Sequence, residues 1–299
     1  MAQSITLAQK YQPILDEIYR LASLTSRMDA PTKPVNFAGA NVVKVFKTDV
    51  IGLGDYSRAS GYPKGQIVGT WETLTLTKDR GREFNIDRMD DEETLGMAFG
   101  TLAGEFMRTR VVAEIDAYRF AEYADNAGNG VTGELSTGAK VLAAIDVAKA
   151  ALNADEVPPE GRLLYISDAC HALLEGVLTR SWASEGNPDR RLQTLDGMPV
   201  IMVPQGRFST EVTPNAGGSV DAGGYAATGE DINFMMLHPS AVLQVAKHAD
   251  LKIFSPDENQ EMDAYKVQYR IYHDAFVYDN KADGIYVHAK AGEGASGEE

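Results

Sequence analysis

Residues 71–123 read WETLTLTKDRGREFNIDRMDDEETLGMAFGTLAGEFMRTRVVAEIDAYRFAEY. The stretch joins two kinds of element that compact domains seldom place end to end. Ile67, Thr70, Trp71, Thr73, Leu74, Thr75, Leu76 and Thr77 suit a pleated surface. Asp79-Arg80-Gly81 reads as a turn, and Arg82 to Ile86 as the return strand of a hairpin. Asp90 followed by Glu93 then opens a helix that runs from Asp91 to Asn126. Leu95, Phe99, Leu102 and Phe106 form its apolar stripe, which Val111, Ile115 and Tyr118 continue on a slightly rotated face. Glu105 with Arg108, and Arg110 with Glu114, have the spacing of helical ion pairs. At about 1.5 Å rise per residue the helix is a rod of roughly 54 Å, a spine too long for a small bundle. Gly96, Gly100 and Gly104 recur on one of its faces, which predicts either a slack, bent first third or a groove for close backbone approach.

Upstream, ANVVKVFKTDV (residues 40–50) is extended and valine-rich. Residues 51–66 carry Gly52, Gly54, Gly61, Gly65 and Pro63, the composition of a mobile loop. Residues 40–88 therefore read as a long two-stranded projection. An isolated β-ribbon is marginal in water, so it needs another surface. Leu7, Tyr11, Ile14, Ile18 and Leu21 give residues 6–24 the stripe of an amphipathic helix, which Pro31 and Pro34 end.

Downstream, the glycine-rich segment 127–137 reads as a boundary. Beyond it, helix and strand alternate: a helix at 138–153, a strand at 162–167, a helix at 168–179 and a hairpin at 191–203. A long polar loop at 204–230, a strand at 232–237 and a short helix at 239–247 follow. Residues 251–289 are strand-rich, with a turn at Asp279–Gly284, and the terminal GEGASGEE has a disordered composition.

The chain has 299 residues and a net charge of -15. Nucleic-acid recognition works by neutralising phosphates with Lys and Arg, so an acidic chain argues against it. The longest nearly apolar run, Met198 to Pro204, falls far short of a membrane span, and the first twenty residues lack the apolar core of a secretory signal. Gly128-Asn129-Gly130-Val131-Thr132-Gly133 has the form of a dinucleotide fingerprint, but a helix precedes it where a strand is needed, so a glycine hinge is the simpler reading. The near phosphate loop ending at Lys140 has its lysine displaced and no Ser or Thr after it. Asp168, Cys170 and His171 sit at a strand-to-helix junction, where adjacent side chains diverge and Cys170 reads as a buried structural cysteine. The five histidines show no metal spacing. These residues point to no catalytic, cofactor-binding or metal site.

Four segments carry a resemblance. Leu76-Thr77-Lys78-Asp79-Arg80-Gly81-Arg82-Glu83-Phe84-Asn85-Ile86-Asp87, then Val112-Ala113-Glu114-Ile115-Asp116-Ala117-Tyr118, resemble the strand-to-spine region of the major capsid (coat) proteins of tailed double-stranded DNA phages. Leu195-Asp196-Gly197-Met198-Pro199-Val200 with Val203-Pro204 is similar to that family's hairpin, and Ala275 to Tyr286 to its closing strands. The resemblance implies an α+β coat-protein fold: an N-terminal arm (1–39), an extended β-hairpin E-loop (40–90), a peripheral domain with a long spine helix (91–136), an α/β axial domain (137–250), strands returning to the peripheral domain (251–289) and a tail (290–299). It implies a non-enzymatic subunit that self-assembles into pentamers and hexamers of an icosahedral shell around phage DNA, put together in the bacterial host cytoplasm. The implied partners are other copies of itself, a separate scaffolding protein, a portal and a decoration protein, with DNA enclosed without sequence recognition and no membrane. The contact residues it singles out are Tyr62, Lys64, Trp71, Arg80, Arg82 and Phe84, with the two arginines facing acidic groups of a neighbour. Some members crosslink through a lysine of the E-loop, where this chain has Lys64. A cellular nanocompartment shell enclosing cargo enzymes is the alternative, and a soluble α/β enzyme built on Asp168–His171 the remote one.

Overall fold

The computed structural model describes residues 18, 22–29, 36–37, 41–50, 52–53, 55–56, 58, 61–62, 67–88, 104–177, 192–218 and 223–291. Its largest sheet follows from residues buried on both sides. β6 (Leu163–Ser167), β8 (Met198–Val203), β11 (Ile232–Leu237) and β14 (Ile285–Ala289) form its centre, with β5 (Asn129–Thr132) and β7 (Thr194–Leu195) at the edges, in the order β5-β14-β11-β6-β8-β7. Side chains alternate across a strand. Leu164, Ile166, Phe234, Met236 and Tyr286 pack on one side against Val141, Ile145, Leu152 and Leu174. Those four residues belong to α2 (Gly138–Ala154) and α3 (Asp168–Val177), α1 being the helix Val112–Asp125. Leu163, Tyr165, Met235, Leu237, Ile285 and Val287 pack on the other side with Tyr118, Phe120 and Tyr123 of α1. Both faces are covered, so these strands read as nearly continuous apolar runs.

A second sheet is antiparallel, β12 (Val242–Phe254), β13 (Ala264–Val277) and β4 (Lys78–Asp87) in that order. Leu251, Ile253, Val267, Tyr269 and Ile271 meet Met107, Val111 and Ile115 of the spine. The spine is helical from residue 104, widens to a π-helical turn at Met107–Val111, and passes directly into α1. Residues 91–103, with the expected start of that helix and the glycines 96 and 100, lie outside the described residues. The arm helix expected at 6–24 is described only at Ile18 and Ala22, both helical, and the expected tail at 292–299 is not described.

Several expectations are corrected by long-range pairing. Asp79-Arg80-Gly81 is no turn: β4 runs straight through it, with Asp79 opposite Tyr272 and Gly81 opposite Arg270. A side chain at Gly81 would sit 3.1 Å from the Tyr269 carbonyl, so this glycine serves a close approach of strands. The hairpin is instead β2 (Val42–Val50) with β3 (Ile67–Thr75). The helix expected at 239–247 is a 3₁₀ turn, Pro239–Ala241, followed by β12. β12 pairs along its length with β13, and that pairing overrides local helix propensity. β12 also runs unbroken through residue 250, the expected edge of the axial domain. The polar loop at 204–230 contains an antiparallel pair, β9 (Val212–Pro214) and β10 (Tyr225–Ala227), and a fully buried Phe208. The glycine-rich boundary holds β5, which adds to β14 in parallel. Glu114 bonds Arg80 on β4, not Arg110 on its own helix.

α1 also binds the end of the arm. Asp116 is fully buried. Its carboxylate accepts from Ser23 Oγ (2.8 Å), Leu24 N–H (2.9 Å), Thr25 N–H (3.3 Å) and Thr25 Oγ1 (2.6 Å), with Arg207 3.7 Å away. Arg119 donates to Thr25 Oγ1 at 2.8 Å and pairs with Asp29 at 3.3 Å. Replacing Asp116 by Ala leaves these donors buried without their acceptor. We expect a loss of about 3 kcal/mol in denaturant unfolding. Cleavage between residues 17 and 29 should rise in limited proteolysis, and an unchanged midpoint would contradict the role given to Asp116.

Candidate assembly surface

The ribbon of β2 and β3 has two different faces, set by the alternation of its strands. Val43 and Leu74 are opposite one another, as are Val45 and Glu72. These side chains face the body: Val43, Leu76 and Val245 are buried together, with Val45, Leu74, Leu243, Tyr272 and Phe276 around them. Beside this patch Lys47 Nζ pairs with Glu72 Oε2 (2.7 Å) and Asp279 Oδ2 (2.9 Å). Burial pulls the Lys47 amine down, but its two carboxylate partners outweigh that and raise its pKa. The Lys47 ammonium in turn holds Asp279 below the ordinary carboxylate value. The ribbon root is therefore seated by an apolar patch and an ion cluster.

The opposite face carries an uncovered aromatic pair among polar residues such as Lys44 and Thr73. Phe46 and Trp71 are directly opposite each other, their rings 5.0 Å apart at 56°, and 51% and 58% exposed. Phe46 lies over Gly69, where an added side chain would meet the ring at 2.5 Å. Further out, Tyr56 and Tyr62 pack ring to ring at 4.9 Å, and Leu53 is fully exposed. Five of the ten large hydrophobic residues exposed among the described residues thus lie between positions 46 and 71. Scattered exposed apolar groups are ordinary, whereas a contiguous set on one projection marks a contact surface.

The six residues singled out from the sequence divide into groups. Tyr62 and Trp71 are on the exposed part of the ribbon. Lys64 lies outside the described residues. Arg80, Arg82 and Phe84 are on β4, where they line a cleft of about 420 Å³ between that strand, the π-helical turn and the loop joining β9 to β10. Arg80 is not at a hairpin tip. Its guanidinium bonds Glu114 (2.5 Å) and the carbonyls of Asn215 (2.9 Å) and Gly224 (3.1 Å) of its own chain. Arg82 is exposed, with Nη1 close to Gly217 and Gly223. Phe84 packs edge-on against Phe106 at 4.8 Å. Sequence reading passed over Phe46, Leu53 and Tyr56. The signal for Phe46 was present, since it breaks the run of polar residues on the outward phase of VVKVFKTD.

The junction considered for chemistry holds a packed thiol. Cys170 is buried, its Sγ 3.6 Å from Asn233 Oδ1, and burial pushes its pKa up, away from the reactive thiolate. His171 is 3.9 Å from Glu175 on the same helix.

No family model matches this sequence, and no curated protein is similar to it in sequence. The fold has clear relatives among solved structures. A structure of Mycobacterium phage Che8 is 17% identical with a TM-score of 0.60, over 84% of this chain and 85% of that one. The capsid of cyanophage P-SCSP1u is 13% identical with a TM-score of 0.61, over 86% and 85%. A virus-like particle from Pyrococcus furiosus is 14% identical with a TM-score of 0.52, over 94% and 98%. The chain has the mixed helix-and-sheet fold of phage capsid structures. Among the described residues no helix is long and apolar enough to cross a membrane.

The outer face of the ribbon should matter to association and little to folding. Changing Phe46 and Trp71 together to Ser should move the unfolding midpoint by no more than about 1 kcal/mol, as for exposed sites. The same variant should remain a smaller species in sedimentation under conditions where the unaltered chain forms large particles. Large particles formed equally by both would remove this face from the contact.

Proposed function

We propose that this chain is a shell subunit, the major capsid protein of a tailed phage, which self-assembles through its ribbon into pentamers and hexamers of a closed icosahedral particle. The observation that carries the reading is the uncovered aromatic face of the ribbon in a chain with a phage capsid fold. A subunit that projects one surface onto a different surface of its neighbour makes a heterologous contact, and such contacts close into rings when the rotation allows. On this reading residues 1–39 are the arm, 40–90 the E-loop and the strand that follows it, and 91–126 the spine. Residues 127–241 are the axial region and 242–289 the return to the peripheral one. Limits at 126 and 241, in place of the expected 136 and 250, are supported by β5 joining the large sheet and by the continuity of β12.

Tyr62, Lys64 and Trp71 remain the proposed intersubunit contacts, joined by Phe46, Leu53 and Tyr56. Arg82 stands with them as an exposed cation, whereas Arg80 and Phe84 act first inside the subunit. A separate scaffolding protein, a portal, a decoration protein and enclosed DNA are the partners of this reading. A second reading is favoured by the likeness to the Pyrococcus particle: a nanocompartment shell that encloses protein.

Electron microscopy of the purified chain tests the first step, with closed shells or capsomers expected and a monodisperse monomer at every concentration against it. Deleting residues 52–66 should abolish particles while leaving the thermal transition of the body in place. Intact particles from that deletion would sink the role of the ribbon. Nuclease-protected DNA inside particles made in an infected host selects the phage reading, and co-purified protein cargo the second.

A further inference from the structure

The ribbon passes into the body at one crowded point. Thr77, the last residue before β4, donates its N–H and hydroxyl to Asp274 at 2.7 and 3.0 Å. Asp274 also accepts from the Tyr118 hydroxyl at 2.6 Å. Beside it His273 sits opposite Lys78 of β4, and its ring meets that of Tyr118 edge-on at 5.8 Å and 80°. Lys78 Nζ lies 4.9 Å from the centroid of the same Tyr118 ring. His273 is only 3% exposed, and its Nδ1 is buried without a hydrogen-bond partner among the described residues. The residue also lines the cleft of β4.

We propose that His273 is a proton-operated release for the root of the ribbon. At neutral pH the uncharged ring is packed between β4 and α1. Acidification charges it, and the charged ring leaves the seat for the cleft, so β4 loosens on α1 and Thr77 loosens with it.

The surroundings explain why charge is refused here. β4 brings Lys78 and Arg80, and α1 brings Tyr118, Arg119, Glu114 and Glu122. β13 adds Asp274, β12 places Ala246 opposite, and the cleft adds Arg82, Arg110 and Glu105. Burial, then Arg119, Lys78 and Arg80, hold the His273 pKa down at about 3 against the ordinary 6.5. The nearby carboxylates are engaged: Glu114 by Arg80, and Asp274 by Tyr118 and Thr77.

A histidine depressed in this way stabilises the seat while neutral. Its contribution is complete above about 6.5 and is withdrawn as pH falls toward 3. Glu122 works the other way, because burial raises its carboxyl and protonating it favours the seat. Asp79 and Glu83, lowered by hydrogen bonds from Arg270 and Gln268, withdraw their contribution as pH falls through the ordinary carboxylate range and below it, in the unaltered chain and in His273→Gln alike. His288, also depressed by burial, belongs to the other sheet, and His238, likewise depressed, caps the 3₁₀ turn that follows β11 of that sheet.

The test is amide hydrogen exchange on the full chain at about pH 6.5 and about pH 4.5, corrected for intrinsic rates and read on peptides covering residues 76–87. One proton taken up on opening, by a ring that titrates at the ordinary 6.5 once open, gives a loss of protection of about 50-fold across that window. His273→Gln, which cannot be charged, should lose only the part that Asp79 and Glu83 withdraw, and Glu122→Gln should steepen the loss. Protection flat in the unaltered chain overturns the proposal, and so does an equal loss in His273→Gln. Should that variant fail to fold, the imidazole resonance of His273 in the unaltered chain decides. A ring still neutral at about pH 4.5 supports the release, and a titration near the ordinary value ends it.

Discussion

A carboxylate with no access to water is tolerable only when donors replace the water, and Asp116 sets the terms on which this chain can fold. Four protein donors reach it within 3.3 Å, and all come from residues 23–25, about ninety positions earlier in the chain. Leu24 also accepts at its carbonyl from Tyr165 of the large sheet, so the end of the arm is tied to the spine and to the sheet together. The same helix turns other side chains to other segments. Glu114 holds β4 through Arg80, Tyr118 holds Asp274 and so Thr77, and Tyr123 accepts from Gln244 of β12. α1 is a rod along which four distant stretches are registered.

That arrangement explains how a ribbon can project without being loose. A two-stranded ribbon has little stability of its own. Here the side facing the body is stabilised by Val43, Leu74 and Leu76 and by the Lys47 cluster, and Thr77 is tied to Asp274 at the exit. The other side keeps Phe46 and Trp71 in the open. An apolar face held rigidly before contact loses less entropy when it is buried than one that must first be ordered.

What was legible in the sequence follows the range of the interactions. The strand at 162–167, the helix beginning at 138 and the hairpin at 191–203 are local, and each was readable from a few neighbours. Asp79-Arg80-Gly81 has the residue types of a turn, but β13 supplies a partner almost two hundred positions away and the segment stays extended. Residues 239–247 fail for the same reason, since β13 again provides the ladder. Asp116, Asp274 and His273 carry no local mark of burial. Their position is decided by what packs on them, and a polar residue in a helix or strand pattern ordinarily reads as solvated. The exposed surface was half legible: Trp71 stood out by size, while Phe46 was passed over although it interrupts the polar outward phase of its strand.

Charge and contact area meet at the ribbon. A net charge of -15 makes copies of this chain repel one another, which keeps an unassembled subunit soluble. Any association must overcome that repulsion with buried apolar area, and salt weakens the repulsion without weakening the burial. An uncovered aromatic face on a projection would meet this requirement in the shell proposed above, where each copy would carry its own small contact and a closed particle would multiply it. Arg80 shows the limit placed on charge in such a design. It is on β4, close to the ribbon root, yet Glu114 and two carbonyls of the glycine loop satisfy it inside the subunit. A guanidinium already satisfied at home adds little at an interface, so under the proposed function any attraction between copies would rest on the aromatic side chains.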